Sequence, residues 1–216
     1  MAITLTTGST ISVASGYATA LAFTAASNAT ECVLTVSGST IVEGDYVEVT
    51  SGWGLLDKRV ARAKAGSSAT SLILESIDTS STTKYPAGAG VGTVRKVTGW
   101  TQITQVQAIS ASGGEMGFAD VTSLVDQTTR QIPTVRGAVN MTIDVFDDPT
   151  LPWYADVDAA DQARVPYGLK LNFPNGSKIV ANAYWSLMKI PTMTQNEALL
   201  SQVSLNYAAE PVRYAS

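Results

Sequence analysis

The stretch from Asp147 to Tyr214 constrains the fold more than any other part of the chain. Apolar and polar residues alternate in three runs, and this period of two is typical of strands with one buried face. The runs are Leu169–Phe173, Lys178–Leu187 and Leu199–Tyr207. An Asn-Gly pair between two alternating runs is the strongest short hairpin signal. The predicted hairpin turn consists of Phe173, Pro174, Asn175 and Gly176.

A longer run, Val135–Phe146, alternates in the same way and predicts a fourth strand. Its apolar parity includes Val139, Met141 and Ile143, and its polar parity is small, uncharged or acidic. After it, Asp147 and Asp148 with the following proline resemble a capped helix start, because Asp accepts from free amides and proline suits the first turn. One short helix is therefore predicted over about residues 150–162.

Composition narrows the function classes. The chain of 216 residues is 45% hydrophobic, which is enough for a sizeable core. Its net charge of −4 argues against a protein that grips nucleic acid, since phosphate neutralisation requires a basic face. The sequence has no histidine, which removes the commonest general base and most zinc sites. The single cysteine, Cys32, lies among apolar residues and is expected to be a buried structural thiol.

The chain is expected to be mainly β and to divide into three parts. Residues 1–17 are rich in Thr, Ser and Gly and suggest an extended arm that adds a strand to a neighbour's sheet. Residues 18–98 carry short strands separated by turns and predict a small all-β domain. Residues 99–216 form a second β domain, a sandwich or barrel with the helix on its flank.

No residue set predicts a catalytic, metal or cofactor site. Gly88–Gly92 leads into a strand and not into a helix opened by Lys and Ser or Thr, so it is a turn and not a phosphate loop. Carboxylates that could form a metal site or an acid pair lie on a solvated helix face, a strand face or a helix start. These are Asp156, Asp158 and Asp161, and Asp144, Asp147 and Asp148. The scattered tryptophans are expected to anchor the core or an interface.

No apolar run is long enough to span a membrane, and the amino terminus lacks the basic region of a signal peptide, so neither a membrane anchor nor secretion is expected. The basic cluster at Lys58–Lys64 is interpreted as a solvated strand face, with contact to an acidic neighbouring subunit as the alternative.

The segment from Tyr167 to Gly176, the alternating strand to Ile190, the loop Pro191–Glu197 and the final strand Val203–Tyr207 resemble the tail-tube proteins of lambda-type siphophages. The resemblance covers roughly residues 99–213, and within siphophages it is closest to flagellum-dependent phages of the Chi type. Residues 18–98 do not fit the lambda pattern and look like an inserted, decorating domain.

This resemblance implies hexameric rings that stack into a tube, with about four strands from each subunit and roughly 24 strands around the lumen, wide enough for duplex DNA in transit. Other implied partners are the tape measure, tail terminator and tail tip proteins, with assembly in the host cytoplasm and a final place in the virion. The expected lumen-lining residues are Ala138, Asn140, Thr142, Asp144, Ala198, Gln202, Ser204 and Asn206. The expected subunit or ring contacts are Ile3, Leu5, Gly113, Gly114, Glu115, Pro191, Thr192 and Met193.

Three alternatives remain open at the level of sequence. The tryptophans suit a carbohydrate-binding adhesin of a tail tip. The inner tube of contractile tails shares the architecture of non-contractile tubes. A hydrolase that uses only carboxylates would depend on Asp144.

Overall fold

The computed structural model describes residues 7–215, and β-strands dominate these residues. A single helix within this range, α1, spans Pro152–Ala163. The strands are β1 (Thr10–Tyr17), β2 (Leu21–Ala26), β3 (Val33–Val36), β4 (Tyr46–Ser51), β5 (Arg59–Arg62), β6 (Ser71–Ile73), β7 (Gly92–Ile103), β8 (Val106–Gly113), β9 (Met116–Asp120), β10 (Gln131–Arg136), β11 (Val139–Phe146), β12 (Tyr167–Asn172), β13 (Lys178–Leu187), β14 (Leu200–Tyr207) and β15 (Val212–Tyr214). The prediction of a mainly β fold with one short helix is confirmed.

Most strands belong to one antiparallel sheet of 13 strands. Its order is β6-β3-β2-β7-β1-β12-β13-β14-β11-β8, with β4 joined to β7, β5 joined to β4, and β15 joined to β13. The remaining strands, β9 and β10, pair only with each other. The long strand β7 connects the two halves of the molecule, since its first residues pair with β2 and β4 and its last residues pair with β1.

The turn between β12 and β13 follows the tetrapeptide Phe173 to Gly176. The Gly176 amide donates to the Phe173 carbonyl at 3.0 Å, and Gly176 has φ of 84°, where a residue without Cβ is least strained. The Asn175 side chain accepts from the amide and the hydroxyl of Ser177, which fixes the turn from inside.

The predicted arm over residues 1–17 is wrong for Thr10–Tyr17. Strand β1 lies between β7 and β12, so both of its edges are paired within its own chain. Ile11, Val13 and Ala14 are buried, and Val13 faces Thr101 on one side and Leu169 on the other. Residues 1–6, which include the expected contact residues Ile3 and Leu5, lie outside the described residues.

The predicted strand Val135–Phe146 is two strands. It breaks at Gly137 and Ala138, where the chain leaves β10 and enters β11. Val135 continues the alternation in sequence but is 85% exposed on β10, while Met141, Ile143 and Val145 on β11 are buried. Alternation alone missed the break because β10 runs in phase with β11.

Helix α1 begins without the predicted aspartate cap. Leu151 occupies the N-cap position and makes no side-chain capping bond, while Pro152 supplies the preset φ of the first turn. Asp148 instead accepts from the amide and hydroxyl of Thr150 in the preceding turn. The helix ends at Arg164 in the left-handed conformation, with φ of 54°.

Buried apolar side chains form two clusters. The first joins buried residues between Phe23 and Val94, including Trp53 and Leu56 from the β4–β5 connection, to Val180, Val212 and Tyr214 from the carboxy-terminal part. The second packs Trp153, Val157 and Ala160 of α1 against β1, β7 and β11–β14. Each large apolar side chain that becomes fully buried contributes about 1.5–3 kcal/mol. The division at residue 98 stays a prediction, because β7 and β13 contribute residues to both clusters.

Candidate assembly surface

One face of the sheet segment β13-β14-β11-β8 carries a regular array of polar side chains, called the polar face below. Strand register sets its rows across β8, β11 and β14. Asn140 lies between Ser112 and Asn206, and Thr142 lies between Ser110 and Ser204. The third row places Asp144 between Ala108 and Gln202, and β13 extends the first two rows with Tyr184 and Ser186.

The alternation of these strands explains why the face is polar and open. Met141, Ile143 and Val145 of β11, with Val203 and Leu205 of β14, point to the opposite side and are buried in the second cluster. Asn140, Gln202 and Asn206 are exposed, and Thr142, Asp144 and Ser204 are half-buried. Because successive side chains of a strand point to opposite faces, every second residue of these strands lies on this open face.

Two of the expected lining residues lie outside these strands. Ala138 is in the turn before β11, and Ala198 is in the loop before β14. Both are exposed, but neither has a register position on the polar face. The other six occupy the rows described above.

The polar face has hydroxyl and amide groups with few charges. Gln202 donates from Nε2 to Asp144 Oδ1 at 3.1 Å, which holds the carboxylate within the array. At the Tyr184 end, Lys58 Nζ donates to the tyrosine hydroxyl at 3.1 Å, and this bond raises the pKa of Lys58. Such a surface gives a phosphate backbone little to bind, because neutralising phosphates takes clustered Lys and Arg side chains.

Both sides of this four-stranded segment end in unpaired backbone. Strand β8 pairs with β11 alone among the described residues, and Gln107–Gly113 is exposed. On β13, pairing with β12 stops at Ala183, so Tyr184–Leu187 pairs only with β14 within residues 7–215. Unpaired strand edges present rows of amides and carbonyls that can accept a further strand.

The expected contact residues Gly113, Gly114 and Glu115 form the tight connection from β8 to β9. Both glycines have positive φ, 82° and 76°, and a Cβ on Gly113 would lie 2.0 Å from the Ala138 carbonyl oxygen. The Glu115 carbonyl accepts from the Gly137 amide, which closes the base of the β9–β10 hairpin. The glycines are therefore required by backbone geometry at this position.

Pro191, Thr192 and Met193 lie in the connection from β13 to β14. Thr192 forms an isolated bridge with Leu200, with its amide donating to the Leu200 carbonyl at 2.7 Å. Met193 is exposed, as are the neighbouring Met188 and Ile190. These residues are accessible for contact with another molecule.

Sequence reasoning missed the apolar surface of the β9–β10 hairpin and of the β8 edge. Phe118, Ile132 and Val135 are exposed on the hairpin, as are Leu124 and Val125 in its connecting turn. The available signal was Leu124-Val125 itself, an apolar pair in a segment that otherwise has the polar composition of a turn.

Structural partners hold three acidic residues: Asp147 of the possible acid pair, Asp158 of the possible metal site, and Glu48, which belongs to neither set. Asp147 accepts from the Ser201 hydroxyl at 2.6 Å, and Asp158 pairs with Lys189 at 2.5 Å. Glu48 is buried and accepts from Arg95 at 2.9 Å; burial raises the pKa of Glu48 and the arginine opposes that rise. In the part of the chain that the structure describes, no group of three or more Asp, Glu, Cys or His side chains could hold a metal.

The tryptophans and the single cysteine are also explained largely by packing within the chain. Trp53, Trp153 and Trp185 are buried, as expected for core anchors, while Trp100 is half-buried and makes an edge contact with Tyr46. Burial raises the pKa of the Cys32 thiol to about 11, consistent with an unreactive structural residue.

The basic cluster is also paired within the chain, since Arg59 contacts Glu210 and Arg62 contacts Glu75. Within residues 7–215 no helix has the length and apolarity to cross a membrane.

A family model described as "Phage tail tube protein, TTP" matches residues 51–216. The match starts inside the segment expected to be an inserted domain. Among solved structures, the chain is similar to the tube-terminating cap of the anti-feeding prophage, with 18% identity and a TM-score of 0.37 over 53% of this chain and 83% of that chain. The six-fold symmetrised anti-feeding prophage baseplate gives 9% identity and a TM-score of 0.37 over 54% and 84%. No curated protein matches.

Proposed function

The chain belongs to the phage tail tube protein family, and we propose that it closes into hexameric rings that stack into a hollow conduit for DNA. The protein is thus a structural component of the virion tail. The observation that carries the proposal is the polar face with an unpaired edge on either side.

Ring closure follows from those edges. The free edge of β8 in one copy pairs with the free edge of Tyr184–Leu187 in the next, so that each copy finishes its neighbour's sheet. About four strands from each copy of a hexamer give roughly 24 strands, and barrels with fewer strands already enclose an aqueous channel. A closed barrel leaves no strand edge exposed. Ring closure would therefore cover both of the strand edges that are open in the single chain.

The polar face lines the lumen in this arrangement. Asn140, Thr142 and Ser204 supply neutral groups, and Asp144 supplies a negative one. Duplex DNA would be repelled weakly or not held at all, so that it passes without sticking. The cluster under the opposite face, with α1, then forms the wall of the tube.

The segment at residues 18–98 lies away from the lumen in this proposal and decorates the tube exterior. The tape measure, tail terminator and tail tip proteins are the proposed partners, and assembly takes place in the host cytoplasm. The sequence resemblance of residues 99–213 supports a lambda-like or Chi-like siphophage tube as the finer assignment.

Electron microscopy of purified protein over a range of concentrations tests the assembly. We expect rings and hollow rods at high concentration and separate chains when dilute. A protein that remains monomeric at every concentration contradicts the proposal.

Thiol labelling tests the lining independently. The Ser204→Cys variant is treated with a maleimide carried on a globular protein too large to enter the tube, and Val42→Cys, 60% exposed in residues 18–98, is the matched control. Both thiols should react in the dilute chain, and only Val42→Cys should react in tubes. Buried Cys32 provides a silent background. Equal labelling of both variants in tubes would place the polar face outside.

A further inference from the structure

Within residues 7–215, the β9–β10 hairpin forms no strand pairing outside itself. Its two strands form a separate sheet, with Ala119 opposite Ile132 and Phe118 opposite Pro133. An isolated two-stranded hairpin is at best marginally stable in water, because it cannot bury an apolar face. Phe118 is nevertheless 61% exposed and Ile132 51% exposed. The described part of the chain therefore leaves these apolar side chains largely uncovered.

The turn of this hairpin, residues 121–130, holds a defined shape. The Ser123 amide donates to Asp126 Oδ2 at 2.9 Å, and the Asp126 amide donates back to the Ser123 carbonyl at 3.0 Å. At the base of the turn, the Arg130 amide donates to Thr122 Oγ1 at 3.0 Å. Between these bonds Leu124 is fully exposed and Val125 is 86% exposed. A pre-shaped apolar projection loses little conformational entropy when it docks.

A notch of about 280 Å³ opens where β7 turns into β8. Its lining is half apolar, with Ile11, Ile103, Val106 and Ile109, and half polar, with Ser9, Gln102, Thr104 and Gln105. Ile11 and Ile103 belong to the second cluster, so the notch is an opening into that core. The hydroxyl of Ser9 is buried at this notch and has no hydrogen-bond partner among the described residues. Ile109 lies on the same side of the sheet as buried Ile143 yet is 43% exposed.

We propose that Leu124 and Val125 of one copy insert into the notch of a neighbouring copy. The inference rests on the proposed self-assembly, which supplies the second copy. In this arrangement the apolar pair contacts the apolar residues of the lining, and the polar backbone of the incoming turn faces its polar residues. Docking removes apolar surface from water on both sides, and it gives the hairpin the packing that it lacks.

Two other segments could compete for the notch. The loop with Met193 is also exposed and apolar, but no described side-chain bond shapes it as the turn at Ser123 is shaped. The other competitor is the amino-terminal segment, residues 1–6, which precedes Ser9 in sequence. Each of the tests below has an outcome that would assign the notch to one of these two segments.

Disulfide trapping between copies tests the pairing directly. Chains with Leu124→Cys are mixed with chains with Ile109→Cys, assembled and mildly oxidised, so that a mixed dimer can arise only between copies. We expect this dimer to be the main cross-linked product. Leu55→Cys replaces Leu124→Cys in the control mixture, because Leu55 is 52% exposed in residues 18–98 and should give little product. A Met193→Cys mixture that cross-links to Ile109→Cys in place of the Leu124→Cys mixture would overturn the proposal.

A second experiment uses the Leu124→Ser/Val125→Ser variant. We expect the concentration for half-assembly to rise about tenfold or more, with no change in the unfolding midpoint of the dilute chain. Leu55→Ser is the matched control and should assemble normally. A variant lacking residues 1–6 should also assemble, and loss of assembly there with normal assembly of the serine variant would assign the notch to the amino terminus.

The two proposals fail in different ways. Tubes that form normally with the serine variant, and that give no Leu124–Ile109 product, overturn the docking inference and leave the tail tube proposal intact. A wild-type chain that never assembles overturns both.

Discussion

Residues 18–98 and residues 104–136 are both β-rich, but they satisfy their interactions in opposite ways. The first segment encloses Trp53, Leu56, Leu34 and Leu72 in a filled core, and most of the ion pairs in residues 7–215 involve its side chains. The second segment contributes no buried side chain to either cluster. It exposes its β8 edge and the apolar residues of the hairpin.

The difference shows which parts of the molecule are complete in one chain. A strand edge that is already paired and a core that is already filled need no second copy. An open edge beside exposed apolar side chains marks a surface whose stabilisation comes from association. The contrast predicts that substitutions in residues 18–98 act on folding, and that substitutions in residues 104–136 act on assembly.

The largest effect is expected from truncating a core tryptophan. Trp53 is buried, and its Nε1 donates to the Pro86 carbonyl at 2.7 Å. Trp53→Ala therefore loses core packing and leaves the Pro86 carbonyl without this hydrogen bond. The free energy of unfolding should fall by about 3–5 kcal/mol, measured by urea denaturation of the dilute chain. Val125→Ala, a truncation in the hairpin turn, should change it by no more than about 0.5 kcal/mol. Similar losses of unfolding free energy in the two variants would contradict the contrast between residues 18–98 and residues 104–136.

The next effect concerns the edge of β8. Ile109→Lys places a charge where a neighbour's apolar side chain is proposed to pack, and an unpaired charge in an interface is strongly unfavourable. The concentration for half-assembly, followed by light scattering, should rise by about a hundredfold or more, while unfolding of the dilute chain changes little. Val91→Lys is the control, since Val91 has nearly the same exposure, 48% against 43%. Equal assembly defects in both variants would contradict the distinction.

A smaller effect is expected from the ion pair of Arg62 and Glu75. Arg62 Nη2 donates to Glu75 Oε1 at 2.7 Å, and this bond, more than any other influence, lowers the pKa of Glu75. A lowered carboxyl pKa stabilises the fold above the unfolded pKa, about 4.3, and this stabilisation is lost as the pH falls through the folded pKa.

Glu75→Gln should therefore reduce the unfolding free energy by about 1 kcal/mol at pH 7, after allowance for solvent screening, and by almost nothing in strong acid. Denaturation curves at several pH values measure this. The pair of Arg130 and Asp126 in the turn is longer, 3.8 Å, with Arg130 70% exposed, and Arg130→Ala should have an effect below about 0.5 kcal/mol at every pH. A pH-independent loss in Glu75→Gln would show that shape and not charge is responsible.

The smallest effect on folding is expected on the polar face. Asp144→Asn keeps an oxygen that accepts from Gln202, so stability should change by less than about 0.5 kcal/mol and tubes should form normally. Asp144→Lys adds a cation to the proposed lumen and should make tubes retain duplex DNA in low salt, with release as salt rises. DNA retention is measured by co-sedimentation, and unchanged retention in Asp144→Lys would argue against a lumenal position.

The sequence predicted the strands that carry their own periodicity. The parity of Met141 and Ile143 against Asn140 and Thr142 was readable because a period of two fixes opposite faces. The same signal could not locate the partner of β1, whose neighbours β7 and β12 lie far along the chain. Nor could it detect the break at Gly137, because Val135 remains in phase with β11 although its strand has left the sheet.

The sequence predicts the candidate surface only where the alternation of residues along one strand determines which face a side chain is on. The rows of Asn140, Thr142 and Asp144 follow from alternation, but their neighbours on β8 follow from the register of β8 against β11, which alternation does not fix. The notch at Ile109 depends on how β1, β7 and β8 lie together, and no local sequence pattern encodes that arrangement. Ala138 and Ala198 were assigned by extending alternation past the ends of the strands.

Strand β7 belongs to both cores, because Val94 packs in the first and Ile103 in the second. Heat or denaturant cannot release one core without fraying a backbone ladder that the other requires. We therefore expect a single cooperative melting transition in calorimetry, with calorimetric and van't Hoff enthalpies that agree. In the proposed tube, a load applied to residues 18–98 would reach the second core through the backbone of β7.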